Sequence, residues 1–229
     1  MLNIKEYQHR IDIFKDRDES TLDFLALSAG VRSYIKNEHI FIDREEVSNF
    51  YFVIRGKAAL YKLNSRHEKK VIFIYGSGAF LNEVMIQDKF ASINCELLTD
   101  SSILIIPKSI MLLAMSRDFD LSKAVMDSMA LKIRRLYHQM KNTSNTVRLD
   151  KQIAAKLWKL SADHGRQCDE GTMIDFDMSI TYLADLVGSK RETVSRYVKL
   201  LSDNDLIVVR KNRFIIKNRE NLLRYFQES

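Results

Sequence analysis

Apolar residues change their spacing twice along this chain. Between residues 31 and 107 they come in short runs rich in β-branched and aromatic side chains, at 34–42, 49–55, 57–63, 70–75, 91–97 and 102–106. Such runs read as strands. Gly56, the polar stretch at 64–68 and Gly76-Ser77-Gly78 separate them, and Pro107, the only proline, closes the series. Many short strands with turn signals between them predict a small antiparallel barrel or jelly roll. Residues 1–30 read instead as helical pieces, with Phe14, Leu22, Phe24, Leu25 and Leu27 as an apolar face and Gly30 as punctuation.

After Pro107 the spacing becomes helical. Residues 108–116 predict a short helix carrying Ile110, Leu113 and Met115. A longer seam follows through Phe119, Met126, Met129, Ile133, Leu136, Met140, Thr143 and Val147, with Ser122 at one weak position. Steps of three and four residues make a narrow stripe of the two-stranded coiled-coil kind. Uninterrupted, this helix would span roughly 40 Å at the standard rise. The stripe fits a dimer axis, with Met126, Met129, Ile133, Leu136, Met140 and Val147 as the seam; packing on its own domain is the other reading. The polar run at 141–150 reads as a hinge. The next helix, starting at Asp150 or Asn145, buries Ile153, Ala154, Leu157, Trp158 and Leu160 and stops at His164-Gly165. Residues 166–171 read as a polar loop and 173–176 as a strand.

The segment 179–203 predicts two short helices around a tight corner. Ser179 is placed to cap the first by accepting a backbone N–H. Ile180, Leu183, Ala184 and Val187 form its stripe, and Gly188 follows, the residue that most readily turns left-handed. Val194, Tyr197, Val198 and Leu201 form the second stripe. Ala184 and Gly188 are small where a helix-turn-helix needs small residues, one at the helix contact and one in the turn. With Val194 and Val198 facing inward, Arg191, Glu192 and Arg196 point outward from the N-terminal half of the second helix, where a recognition helix meets base edges. Arginine grips guanine O6 and N7, and glutamate accepts from the cytosine amino group. Ser179, Lys190 and Thr193 suit phosphate contacts, which position without specifying. Downstream, 206–210 and 213–217 flank Lys211-Asn212 as a hairpin, a wing with Arg210, Lys211 and Arg213 near its tip for phosphates. A terminal helix at 219–226 offers Leu222, Leu223 and Phe226 to the core.

Charge sharpens this picture. The 229-residue chain has a net charge of +6, and the stretch 188–224 alone holds ten basic and four acidic residues, so all the excess lies where DNA is expected. Cys95 and Cys168 are far apart, the five histidines are scattered, and no metal-ligand spacing occurs. No Ser/His/Asp, metal or phosphate-loop constellation points to an enzyme. No apolar run is long enough to cross a bilayer. The N-terminal stretch lacks the apolar core of a signal peptide, so a cytoplasmic location is expected.

The motif G-S-K-R-E-T-V-S-R at 188–196 resembles the recognition-helix signature of the Crp/Fnr superfamily, most of all its cyclic-AMP receptor branch, and nearly the whole chain fits that layout. The resemblance implies an α+β protein: an N-terminal antiparallel β-roll of the cyclic-nucleotide-binding kind at 1–116, a dimerisation helix and hinge at 117–148, and a C-terminal winged helix-turn-helix at 149–229. It implies a homodimeric regulator that binds palindromic double-stranded DNA with TGTGA-like half-sites and contacts RNA polymerase. A signal in the roll would then alter packing near 142–149. The stretch Gly78–Glu83 resembles the family's phosphate-binding cassette, with Glu83 at the ribose position, so Asn82, Glu83 and Ser92 mark an effector pocket. That cassette also needs an arginine just before the serine; here Ala91 precedes Ser92, and no arginine lies between Gly78 and Asp100. No cofactor is therefore expected, a cyclic nucleotide included. An unusual small ligand, a protein partner or no effector at all remain open, as does a sensor module acting through proteins rather than DNA.

Overall fold

The structure is a computed structural model that describes residues 4–87, 89–142 and 148–227, the last two residues of the first long helix by backbone alone. The chain divides into two compact units, Met1–Lys62 with Ile72–Tyr137, and Leu63–Val71 with His138–Ser229.

The first unit begins with α1 (Lys5–Gln8) and α2 (Glu19–Ala26). Seven strands follow: β1 (Gly30–Tyr34), β2 (His39–Phe41), β3 (Asn49–Arg55), β4 (Ala58–Leu63), β5 (Lys69–Tyr75), β6 (Asn94–Leu97) and β7 (Ser101–Pro107). They form two sheets, β1-β7-β3 and β2-β6-β4-β5, as the alternating runs predict. Helix α3 (Lys108–Arg117) and α4 (Phe119–Asn142) as far as Tyr137 complete the unit.

Both faces of β3 and β7 are covered, which explains why these two strands are apolar almost throughout, while β1 at the edge is exposed. Phe50, Phe52, Ile54, Leu104 and Ile106 pack with Phe14, Leu22, Leu25, Met111, Leu121 and Val125 from the helices. Val53 and Ile103 point the other way and join Phe41, Leu60, Leu81, Cys95 and Leu97 inside the roll. Rings knit the helical side together: Phe52 lies 4.3 Å from Phe80 and 5.2 Å from Phe14, centroid to centroid. Gly78 (φ +94°) holds the turn before Phe80, where an added Cβ would sit 2.6 Å from the Arg10 carbonyl oxygen.

The second unit contains α5 (Leu149–His164), β8 (Gly165–Cys168), β9 (Gly171–Ile174), α6 (Ile180–Val187), α7 (Arg191–Asp203), β10 (Ile207–Arg210), β11 (Arg213–Ile216) and α8 (Arg219–Gln227). Its sheet runs β10-β11-β9-β8. Ile153, Ala154, Leu157, Phe176, Leu183, Val194, Val198, Leu201, Phe214 and Leu222 are buried within it.

Three expectations need correction. The run 34–42 is two strands, because Asn37 turns left-handed (φ 71°) and the Glu38 carboxylate accepts from the Ile35 N–H, making a turn. Residues 166–171 are largely a strand rather than a loop: β8 pairs with β9 from Gly165–Ile174 to Cys168–Gly171. Leu27 lies outside the core, 62% exposed just beyond α2. The hinge expected at 141–150 falls largely on residues 143–147, outside the described ones, as do Thr143, Val147 and a helix start at Asn145.

Truncating Phe52 removes a ring with no exposed surface from between two others. Phe52→Ala should cost about 3–5 kcal/mol of stability, read as a lowered urea midpoint with an unchanged slope.

Candidate nucleic-acid interface

The corner between α6 and α7 is built from local chemistry. Ser179 Oγ accepts from the Tyr182 N–H at 3.0 Å and caps α6, so that hydroxyl is engaged within the helix. Gly188 takes φ 69°, and its N–H closes the helix onto the Ala184 carbonyl. Ala184 is buried between the helices, and so is Leu186, which the helical stripe did not include.

On α7, Val194, Val198 and Leu201 are buried, while Lys190, Arg191, Glu192 and Arg196 are exposed and Thr193 is half-buried. The N-terminal half of this helix thus presents two guanidinium groups and one carboxylate to solvent on a face with no packing duty. Arg196 lies over the neighbouring Tyr197 ring at 5.1 Å, an arrangement that restrains its long side chain.

The wing differs from a simple cluster of available cations. Its tip, Lys211 and Asn212, is left-handed at both residues (φ 46° and 62°), as a tight two-residue hairpin requires. Arg210 pairs with Glu170 at 2.5 Å. Arg213 pairs with Asp177 at 2.7 Å and approaches Asp175 at 3.7 Å. Lys211 is fully at the surface. The three are close in the fold, but two of their charges already face carboxylates.

Beneath the interface, α5 is tied to α8. Asp150, buried at the start of α5, accepts from the Tyr225 hydroxyl at 2.7 Å and from Arg148 at 3.2 Å. Burial alone would raise its carboxyl pKa. The bonds from Tyr225 and Arg148 and the backbone N–H of Lys151 outweigh that and hold it below the usual carboxylate value. Tyr225, correspondingly, is pushed up to about 12 by burial and by its bond to Asp150. Trp158 and Phe226 add an edge-on ring contact at 6.0 Å.

Helix α4, which belongs to the first unit as far as Tyr137, carries two apolar faces. Leu121 and Val125 are buried in the core and Met129 packs against it. Met126, Ile133, Leu136 and Met140 are exposed, Met140 by 70%, as is Phe119 at the helix start. The expected seam is therefore divided: Met129 partly serves its own domain, and four residues remain uncovered.

Asn82, Glu83 and Ser92 do not converge on an open pocket. Asn82 is buried, accepting from the Tyr51 N–H at 3.0 Å and donating to the Asn49 carbonyl at 2.9 Å, so it clamps β3. Ser92 is exposed, and Ala91 beside it is buried. Glu83 is completely buried at the start of a single 3-10 turn, Glu83–Met85. One carboxylate oxygen accepts from Ser128 Oγ at 2.7 Å, and the other is paired with the Lys132 ammonium. Ser128 and Lys132, both on α4, escaped the sequence reading because a polar residue on a helix ordinarily marks its solvent face. Cys95 is buried in the roll and Cys168 is exposed on β8. Among the described residues no group of three His, Cys, Asp or Glu side chains is placed to hold a metal ion, and no helix is long and apolar enough to cross a membrane.

Comparison with known proteins agrees with this architecture. The family profile of the Crp-like helix-turn-helix domain matches residues 151–225, and that of the cyclic nucleotide-binding domain matches residues 31–118. The HTH-type transcriptional regulator ArcR of Staphylococcus aureus is 25% identical over 179 residues, 78% of this chain and 76% of its own length. Among solved structures, a CRP/FNR-family transcriptional regulator of Thermus thermophilus superposes with TM-score 0.69 at 20% identity, over 87% of this chain and 99% of that one. FixK2 of Bradyrhizobium japonicum does so with TM-score 0.73 at 21% identity, over 85% and 96%. The chain belongs to the Crp/Fnr superfamily. Like other Crp/Fnr proteins it is a transcriptional regulator that joins a DNA-binding helix-turn-helix to a domain of the cyclic-nucleotide-binding type. The helix-turn-helix match spans α6, α7 and the wing.

The Asp150–Tyr225 bond makes the stability of this unit depend on pH. Asp150 has a lower pKa folded than unfolded, so its contribution is complete above the ordinary carboxylate range and drains away as pH falls through the folded value. Tyr225→Phe should cost about 1–3 kcal/mol at pH 7. Denaturation of both proteins down to pH 3 should show that difference shrinking below about pH 4.

Proposed function

We propose that this regulator acts as a homodimer on a palindromic operator, with Arg191, Glu192 and Arg196 reading the bases of each half-site. The observation that carries the reading is the N-terminal face of α7, where these three charged groups stand exposed above the buried Val194 and Val198. An apolar core beneath and free bonding groups above is what a helix lying in the major groove needs. Lys190, Thr193 and Lys211 supply phosphate contacts. Arg210 and Arg213 do so only by exchanging carboxylate partners for phosphate ones.

The dimer follows from α4. Met126, Ile133 and Met140 recur every seven residues on its uncovered side, with Leu136 between them. A second copy of the same stripe would bury them in a left-handed coiled coil. Pairing also brings two recognition helices into successive major grooves, about 34 Å apart. The match of the segment 188–196 to the cyclic-AMP receptor branch supports TGTGA-like half-sites, RNA polymerase as the further partner and the bacterial cytoplasm as the location.

The direct test is the affinity of the full-length protein for a palindrome of TGTGA half-sites and for a scrambled duplex of equal length, at one salt concentration. Preference for the palindrome is expected, and equal affinities would remove the assignment. Arg191→Ala should lower discrimination at a single base position by about 1–3 kcal/mol. Replacing Ile133 with glutamate places a carboxylate in the seam, and sedimentation should then give a monomer with weakened operator binding and an intact fold.

A further inference from the structure

The polar groups buried between the roll and α4 complete one another. Lys132 Nζ has three N–H donors. It places them on the Phe80 carbonyl at 2.9 Å, the Leu81 carbonyl at 3.3 Å and one carboxylate oxygen of Glu83. The other Glu83 oxygen takes the Ser128 hydroxyl. The Lys132 side chain is 8% exposed and that of Glu83 not at all. Ser128 and Lys132 are four residues apart and so share one face of α4. Lys132 also lies 4.8 Å from the Tyr75 ring centroid on β5. Burial pulls the lysine below its ordinary pKa, while the Glu83 carboxylate opposes that.

These residues do not fit a cyclic nucleotide. A ribose hydroxyl would have to displace Ser128, whose hydroxyl would then lose its buried acceptor, or Lys132, which would leave a buried charge unpaired. A cyclic phosphate would need a cation near Ala91. The one basic residue in the segment, Lys89, is exposed and paired with Glu46, and Arg44, whose backbone N–H bonds the Ala91 carbonyl, has an exposed side chain. A buried anion without a cationic partner is strongly disfavoured.

We propose that Glu83, Ser128 and Lys132 form an internal strut that stands where a ligand would, so that this regulator holds its DNA-binding arrangement without a cyclic nucleotide. The strut joins the turn at 80–83 to α4, whose adjoining face carries the uncovered dimer stripe. It fixes the rotation and height of that stripe relative to the roll. A buried ion pair contributes little net stability compared with apolar residues of the same size, and its best-attested use is to hold one arrangement against alternatives. The proposal rests on the DNA-binding reading above, and its test separates the two.

Operator binding would be measured for the full-length protein, with and without millimolar cyclic AMP or cyclic GMP, beside calorimetry with each nucleotide. The same duplex would be offered to the double variant Glu83→Gln/Lys132→Met, which removes both charges together and strands neither. Backbone hydrogen exchange across 79–86 and α4 would be followed in both proteins. The expected results are no calorimetric heat, unchanged wild-type affinity with nucleotide, a folded double variant with operator affinity lower by roughly 5–150-fold, and faster exchange in both segments. A wild-type protein that binds either nucleotide and thereby gains operator affinity would overturn the strut. So would a double variant that matches the wild type in exchange. Failure of the wild type to prefer the palindrome over the scrambled duplex would instead sink the DNA reading, with the exchange comparison still deciding the strut.

Discussion

Much of the first unit follows from one requirement: strands β3 and β7 must be buried on both sides. Phe50, Phe52 and Ile54 face helices while Val53, between them, faces the interior of the roll. A sheet apolar on both surfaces cannot stand as the wall of an open barrel, so it recruits α2, α3 and the start of α4 as a second layer. Leu121 and Val125 anchor α4 there. The long helix is thus fixed at one end by ordinary core packing, and its later turns leave the core with a stripe of methionine, isoleucine and leucine exposed.

Against that apolar background the buried ammonium and carboxylate at Lys132 and Glu83 stand out. Hydrophobic contacts allow a helix to slide or rotate among near-equivalent packings, because methyl groups are poor at telling one neighbour from another. A lysine with all three donors assigned, to two carbonyls and one carboxylate, permits only one setting. The domain keeps the outline of a nucleotide-binding module while its interior bonds are spent on itself.

Much of this was legible in the residues alone. The strands β3 and β7 were plain because two-sided burial makes their runs almost continuously apolar. The helix-turn-helix was plain because a cap, a small contact residue and a left-handed glycine must fall at fixed spacings. The failures have physical causes. The run 34–42 looked like one strand because Ile35 and Ile42 are apolar, yet both lie exposed beside turns. Strand β8 was invisible because all four of its residues are exposed, so it is held by backbone pairing with β9 and carries no hydrophobic pattern. Glu83 carried a resemblance but no hint of its partner, since Lys132 is 49 residues away and nothing local distinguishes it from the charged residues around it.

The carboxylates beside the wing change how its charge should be counted. Arg210 and Arg213 add two to the formal charge of the C-terminal stretch, but Glu170, Asp175 and Asp177, all upstream of it, already sit against them. The strength of a protein's hold on duplex as a function of ionic strength reports how many phosphates it neutralises, through the small cations those phosphates release. Two arginines engaged in this way release fewer cations than their number suggests. On the proposed DNA-binding reading, the wing would then serve more as a braced edge than as an electrostatic clamp, leaving α7 and the lysine at the hairpin tip to set the ionic character of the complex.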